Sequence, residues 1–72
     1  MRKLLKMYEL NSDLGYFEMI SDNFINGNIT SAKSLFNQMT KKYKVLFLKN
    51  ATVGGWHSRI STQNLESLFD LL

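Results

Sequence analysis

The side chains that can do chemistry are few in this sequence, and they do not converge on an active site. Its single histidine, His57, has Ser58 beside it in the chain, whereas a nucleophile and its base normally meet from separated positions. Glu18 and Asp22 would share one face of a helix, but that face is predicted to be solvated rather than enclosed, as acid–base catalysis requires. We therefore expect no catalytic residues and no enzyme activity.

Metal and cofactor chemistry is equally poorly supported. The chain has no cysteine and one histidine, which is too few ligands for a structural zinc site within a single chain. Its acids do not follow the pattern of a calcium-binding loop. Gly54 and Gly55 are not followed by the Gly-Lys-Ser or Gly-Lys-Thr of a phosphate-binding loop. The sequence predicts neither a metal site nor a cofactor.

Segregated charge is the most prominent chemical feature. Nine lysines and arginines against six acids give a formal net charge of +3 at pH 7. Residues 9–32 carry only acids, and residues 33–59 carry only bases. Such a chain can place an acidic helix beside a basic one within its own fold, or it can offer a basic surface to an anionic partner.

Nucleic-acid binding is one interpretation of the basic residues. Lysines neutralise phosphates, and Tyr43 and Trp56 offer rings on which unpaired bases can stack, unless both rings fill the core. Two closely connected helices also resemble a helix-turn-helix, although acids on the first helix would repel phosphates. The residues predicted for this alternative are Lys33, Lys41, Lys42, Lys44 and Lys49.

Protein binding is the interpretation that we favour. Tryptophan and arginine often carry interface energy, and a small core leaves apolar residues such as Val45 and Leu48 at the surface. The predicted contact residues are Trp56, His57, Arg59, Val45 and Leu48, with the lysines of residues 41–49 around them. Two alternatives stay open: the tryptophan folds back over the helices, or the exposed apolar residues bury one another in a homodimer.

These side chains must be positioned by a small domain. The 72 residues, 44% of them hydrophobic, suit one globular domain with a marginal core. The first ten residues lack the apolar segment and cleavage site of a signal peptide, and no apolar run approaches the length of a membrane span. We expect one domain over residues 1–72, in the cytoplasm and without membrane contact.

Three segments have the three- and four-residue apolar spacing of amphipathic helices. The first follows the N-cap residue types at 11–13 and stops at 26–28; the second follows Thr30, and the third follows Ser61. The spacing predicts an all-α domain of three or four helices, with a loop over 52–59. The predicted core is Leu14, Phe17, Ile20, Phe24, Leu35, Phe36, Met39, Leu46, Phe47, Leu65, Leu68 and Phe69.

One segment fits either a helix or a strand. Residues 41–50 bury Leu46 if they are helical and Val45 if they are extended. A lone strand needs a partner, and residues 3–10 are the only candidate, so a helix is favoured. The alternative is an α+β domain with a two-stranded element from residues 3–10 and 42–49.

The segment Phe24-Ile25-Asn26-Gly27-Asn28 is preceded by aromatic residues and followed by Ala32 and Leu35-Phe36-Asn37. It resembles a pattern of small, mostly uncharacterised proteins encoded by tailed bacteriophages, over roughly residues 16–48. The resemblance implies no functional residues. It implies a context in which small proteins modify host machinery or block host defence by binding. We therefore expect a non-enzymatic, phage-encoded protein that inhibits or redirects a host protein.

Overall fold

The computed structural model describes residues 1–52 and 60–72, which form five helices and no strand. The predicted all-α class is confirmed, and the two-stranded alternative is wrong. The two segments considered as strands, 3–10 and 42–49, instead contribute one helix each, so the number of helices exceeds the three or four predicted. The helices are α1 (Arg2–Met7), α2 (Asp13–Ile25), α3 (Ile29–Asn37), α4 (Lys41–Thr52) and α5 (Thr62–Phe69). None of these described helices is long and apolar enough to cross a membrane.

α2 ends and α3 begins within the same short segment, residues 26–28. Gly27 has a φ of 83°, and its N–H donates to the Phe24 carbonyl, while the Asn28 N–H donates to the Asn23 carbonyl. These two bonds form a Schellman motif. Asn28 is also the N-cap of α3, so the prediction of Thr30 as N-cap is wrong because the helix restarts immediately after its predecessor ends.

Serine hydroxyls cap two helices as the sequence predicts. The Ser12 Oγ accepts from the Gly15 N–H, and the Ser61 Oγ accepts from the Asn64 N–H, both at 3.2 Å. Each cap satisfies an N–H group that the first helical turn leaves without a backbone partner. α2 and α5 therefore begin where their sequences indicate.

The core is centred on three phenylalanine rings from different helices. Phe47 of α4 packs edge-to-face against Phe17 of α2 and Phe36 of α3, with ring centroids 5.5 and 5.8 Å apart. Such pairs add about 0.5–1.5 kcal/mol each beyond the burial of their area. The other buried hydrophobic residues are Tyr16, Ile20, Phe24, Ala32, Leu35, Met39, Leu48, Ile60 and Leu68.

Three residues predicted for the core are largely exposed. Leu14, Leu46 and Phe69 have relative exposures of 48%, 41% and 49%. In α4 the inward face contains Lys44 and Leu48 instead of Leu46, and Leu48 is only 4% exposed. The prediction that Leu48 stays at the surface is therefore wrong, because α4 is rotated about its axis relative to the orientation expected from apolar spacing.

Tyr16, which the predicted core omitted, is fully buried and joins α2 to α3. Its hydroxyl donates to the Leu35 carbonyl at 2.6 Å. Burial raises the pKa of Tyr16 to about 12, and the neighbouring Tyr8 adds to this rise. Residues two apart lie about 200° apart around a helix, so burying Tyr16 turns Leu14 toward solvent.

α1 ends with the same pair of backbone hydrogen bonds as α2, but the residue with positive φ is not glycine. The Glu9 N–H donates to the Lys6 carbonyl, and the Leu10 N–H donates to the Leu5 carbonyl at 2.8 Å. Glu9 has a φ of 57°, in the left-handed region that costs a residue with a Cβ about 1–2 kcal/mol. This turn is therefore a strained point of the backbone.

Replacing Glu9 with glycine should raise the free energy of unfolding by about 0.5–1 kcal/mol, because relief of the strain outweighs the greater unfolded-state entropy of glycine. Urea unfolding followed by circular dichroism measures the change. Glu18→Gly, in the middle of α2, is the matched control and should lower stability by about 1 kcal/mol. A Glu9→Gly protein less stable than the wild type would contradict the strain.

Tyr16→Phe should lower the free energy of unfolding by about 1–2 kcal/mol, because the Leu35 carbonyl loses its buried donor. It should also change the response to alkali. The folded-state pKa of about 12 lies above the ordinary 10.0, so the stabilisation is intact below pH 10 and is lost as the pH rises toward 12. Thermal unfolding at about pH 9 and about pH 11 tests this, and Tyr43→Phe should keep the wild-type alkaline loss. An unchanged loss in Tyr16→Phe would refute the assignment.

Candidate functional site

The outward side of α4 combines aliphatic and basic side chains. We call it the α4 face and define it as Lys41, Lys42, Val45, Leu46 and Lys49, all of which are exposed. At 3.6 residues per turn, these positions fall within an arc of about 140°. Two aliphatic side chains occupy the middle of the stripe, and lysines occupy both of its ends.

An apolar groove continues the α4 face toward α5. It has a volume of about 160 Å³ and is lined by Val45, Leu48, Lys49, Phe69 and Leu72. Phe69 and Leu72 are exposed, whereas Leu48 forms the buried floor. Adjacent exposed aromatic and aliphatic side chains with a polar rim are typical of the centre of a protein interface. Val45 and Lys49 belong to both features, so the α4 face and the groove form one surface.

Beneath this surface, Lys44 links α4 to two other parts of the chain. Its ammonium donates to the Asn37 Oδ1 at 2.9 Å and to the Leu71 carbonyl at 2.8 Å. It also lies 5.7 Å from the centroid of the Phe36 ring, within the range of a cation–π contact. Because Leu71 comes shortly after α5, the positive charge lies at the helix end that the helix dipole makes negative.

The Lys44 bridge holds the groove together. Lys44 is only 9% exposed, and lysines are almost never buried this far without a partner. α4 supplies one wall of the groove, and Phe69 of α5 together with Leu72 supplies the other. By joining these two segments, Lys44 fixes the distance between the walls.

The predicted basic residues lie in three different places. Lys41, Lys42 and Lys49 share the α4 face, and the Lys42 ammonium also lies 5.7 Å from the ring centroid of Tyr43. Lys33 is half-buried on α3. The ammonium of Lys44 is committed to protein oxygens, so this lysine belongs to the scaffold rather than to the exposed basic surface.

The residues predicted for protein contact are brought together only in part. Val45 is exposed as expected, and Leu48 lies directly below the groove. Trp56, His57 and Arg59 lie outside the described residues, as does most of the predicted loop over 52–59.

Sequence reasoning missed three members of the surface. Leu46 and Phe69 were assigned to the core because they continue an apolar stripe, and Leu72 was given no role at the surface. The sequence does contain a signal for these exposed residues, because α4 and α5 each carry more apolar positions than one buried helix face requires.

Two further features bear on chemistry. Among residues 1–52 and 60–72, no group of three or more His, Cys, Asp or Glu side chains is placed to hold a metal ion. A wider hollow of about 430 Å³ lies beside α3, and its lining mixes hydroxyl and amide side chains with Tyr8, Met19 and Leu35. The Tyr8 hydroxyl lies 3.2 Å from the Gln38 Nε2. The hollow has no charged lining residue, so it offers no feature comparable with the α4 face.

No protein-family model matches this chain, and neither does any curated protein or solved structure. The function must therefore be inferred from the surface itself.

Lys44→Ala should lower the free energy of unfolding by about 1–3 kcal/mol, because the Asn37 amide oxygen and the Leu71 carbonyl lose a charged donor. Chemical denaturation measures the change. Lys42→Ala is the matched control, since it removes an exposed lysine from the same helix and should change stability by less than about 0.5 kcal/mol. Equal effects of the two substitutions would show that the bridge does not stabilise the fold.

Proposed function

We propose that this chain is a non-enzymatic, phage-encoded binding protein that attaches to a protein of the bacterial host and thereby inhibits or redirects it. The contact surface is the α4 face together with the adjoining groove. The observation that carries the proposal is the convergence of exposed Val45, Phe69 and Leu72 on one groove in a chain of this size.

Exposed apolar side chains beside one another favour association. Burial of apolar area stabilises by about 25 cal/mol per Å², so completing the burial of one half-exposed aliphatic or aromatic side chain contributes about 1 kcal/mol. Several such side chains on one surface contribute a few kcal/mol before the entropy of association is subtracted. The rigid floor provided by Leu48 and the Lys44 bridge reduces the ordering that binding requires.

The rim of the surface favours a partner with negative charge. Lys41 and Lys42 lie at one end of the aliphatic pair, and Lys49 lies at the other. Complementary charge accelerates encounter and orients the partner more than it adds affinity. The resemblance of residues 24–28 to the phage pattern supports a host protein as the partner.

Nucleic-acid binding is supported less well by the same residues. Phosphates need closely spaced cations, but Val45 and Leu46 separate the lysines at the two ends of the α4 face. Lys44, another member of the predicted basic set, has its ammonium bound to Asn37 and Leu71. A polyanion laid along α4 would therefore cover aliphatic side chains that gain nothing from phosphate.

Affinity capture from a nuclease-treated bacterial lysate tests the proposal. We compare the tagged wild type, a Val45→Ala/Phe69→Ala double variant and Met7→Ala, which truncates a side chain that is 65% exposed on α1. The wild type and Met7→Ala should retain the same host protein at about 50 and about 200 mM salt. The double variant should retain at least tenfold less, because it removes two walls of the groove while circular dichroism shows an unchanged fold.

Two outcomes would count against the proposal. Recovery that disappears with nuclease, or that falls steeply between the two salt concentrations, would indicate a phosphate-driven complex. Equal recovery by the double variant and Met7→Ala would exclude the groove as the contact surface.

A further inference from the structure

A second exposed stripe, on α2, has the opposite charge to the α4 face. We call it the α2 face and define it as Leu14, Glu18, Asp22 and Ile25, all of which are exposed. These residues occupy positions i, i+4, i+8 and i+11, which fall within an arc of about 80°. The α2 face thus combines two carboxylates with two aliphatic side chains, whereas the α4 face combines three lysines with two aliphatic side chains.

The fold keeps the two faces apart. α2 and α4 meet through their inward sides, where Phe17 and Phe47 pack edge-to-face with centroids 5.5 Å apart. The middle of the α4 face lies about 170° around its helix from Phe47, so this face points away from α2. The α4 face of one copy therefore does not lie against its own α2 face, and among the described residues the two faces can pair only between copies.

We infer that the α4 face of one copy binds the α2 face of a second copy. Leu14 and Glu18 are four residues apart, as Lys41 and Val45 are. With the two helices antiparallel, one turn of each can place an aliphatic pair beside a carboxylate–ammonium pair. Charge complementarity of this kind fixes register and excludes the like-charged alternatives.

The contact joins two different surfaces, so it is heterologous. A pair formed in this way keeps one unoccupied α2 face and one unoccupied α4 face, and further copies add head to tail in a short chain or a ring. A contact between two single helices is smaller than the standard interface of about 1,600 Å². We therefore expect weak association, with a Kd on the order of 0.1 mM.

Self-association goes beyond the proposed function but uses the same α4 face. A second copy and a host protein would compete for this face, so concentration would control its availability. Dilution exposes the face, whereas a high local concentration covers it with the α2 face of a neighbouring copy.

Charge reversal on each face tests the inference. The acidic-face variant, Glu18→Lys/Asp22→Lys, makes the α2 face positive, like the α4 face. The basic-face variant, Lys41→Glu/Lys42→Glu, makes the start of the α4 face negative, like the α2 face. Both changes suit their helices, because a lysine replaces Asp22 near the C-terminus of α2 and glutamates enter the first turn of α4. Circular dichroism verifies that both variants fold.

Sedimentation velocity at about 10 and about 500 µM, in about 50 mM salt, supplies the measurement. The wild type should increase its weight-average mass at least 1.5-fold between the two concentrations, and each variant alone should stay at the monomer mass. An equimolar mixture of the two variants should recover the increase, because each face then meets an oppositely charged face. Lys3→Glu/Lys6→Glu, on α1, is the matched control: it has the net charge of the basic-face variant and should associate like the wild type.

Several results would overturn the inference. They are that the wild type is monomeric at 500 µM, that the acidic-face variant still associates, or that the mixture of the two variants stays monomeric. The host-capture experiment remains a separate test, because the acidic-face variant keeps the α4 face and the groove intact. If this variant loses self-association and still captures the host protein, both proposals stand; if the wild type self-associates and captures no protein, only the proposed function fails.

Discussion

A single buried ammonium joins elements that are too short to be stable alone. The described helices have 6 to 13 residues, and isolated helices below about 12–15 residues are marginal in water. Lys44 of α4 binds Asn37 at the end of α3 and the Leu71 carbonyl after α5. Because a charge taken from water is tolerated only when its partners are in place, the formation of any one of these contacts depends on the others.

The same interaction determines the surface of the molecule. In a helix, the burial of one position fixes the direction of its neighbours, and burying Lys44 with Leu48 turns Val45 and Leu46 outward. The Leu71 contact also brings the end of α5 beside α4, which sets Phe69 at the edge of the groove. The exposed apolar side chains are therefore a consequence of how the core is closed.

The elements of this fold follow from the sequence more readily than their orientations do. The spacing of apolar residues and the cap residues predict α2, α3 and α5, and Gly27 marks the stop between the first two. The rotation of α4 is a different matter, because its inward face includes a lysine. The partners of Lys44 lie 7 and 27 residues away in the sequence, so no local pattern reveals that this lysine can be buried. Tyr16 was missed for the same reason, since the acceptor of its hydroxyl is a backbone carbonyl on another helix.

The sequence predicts which types of residue the candidate site contains, but not which surface they form. The sequence shows that acids and bases occupy different segments, and this pattern allows an acidic helix to lie beside a basic one. In the structure α2 and α4 are indeed in contact, but through Phe17 and Phe47, and the α4 face lies on the opposite side of its helix from Phe47. In the contacts that we propose, the lysines and carboxylates orient the partner and exclude like-charged alternatives, and the aliphatic side chains between them supply the apolar area that is buried.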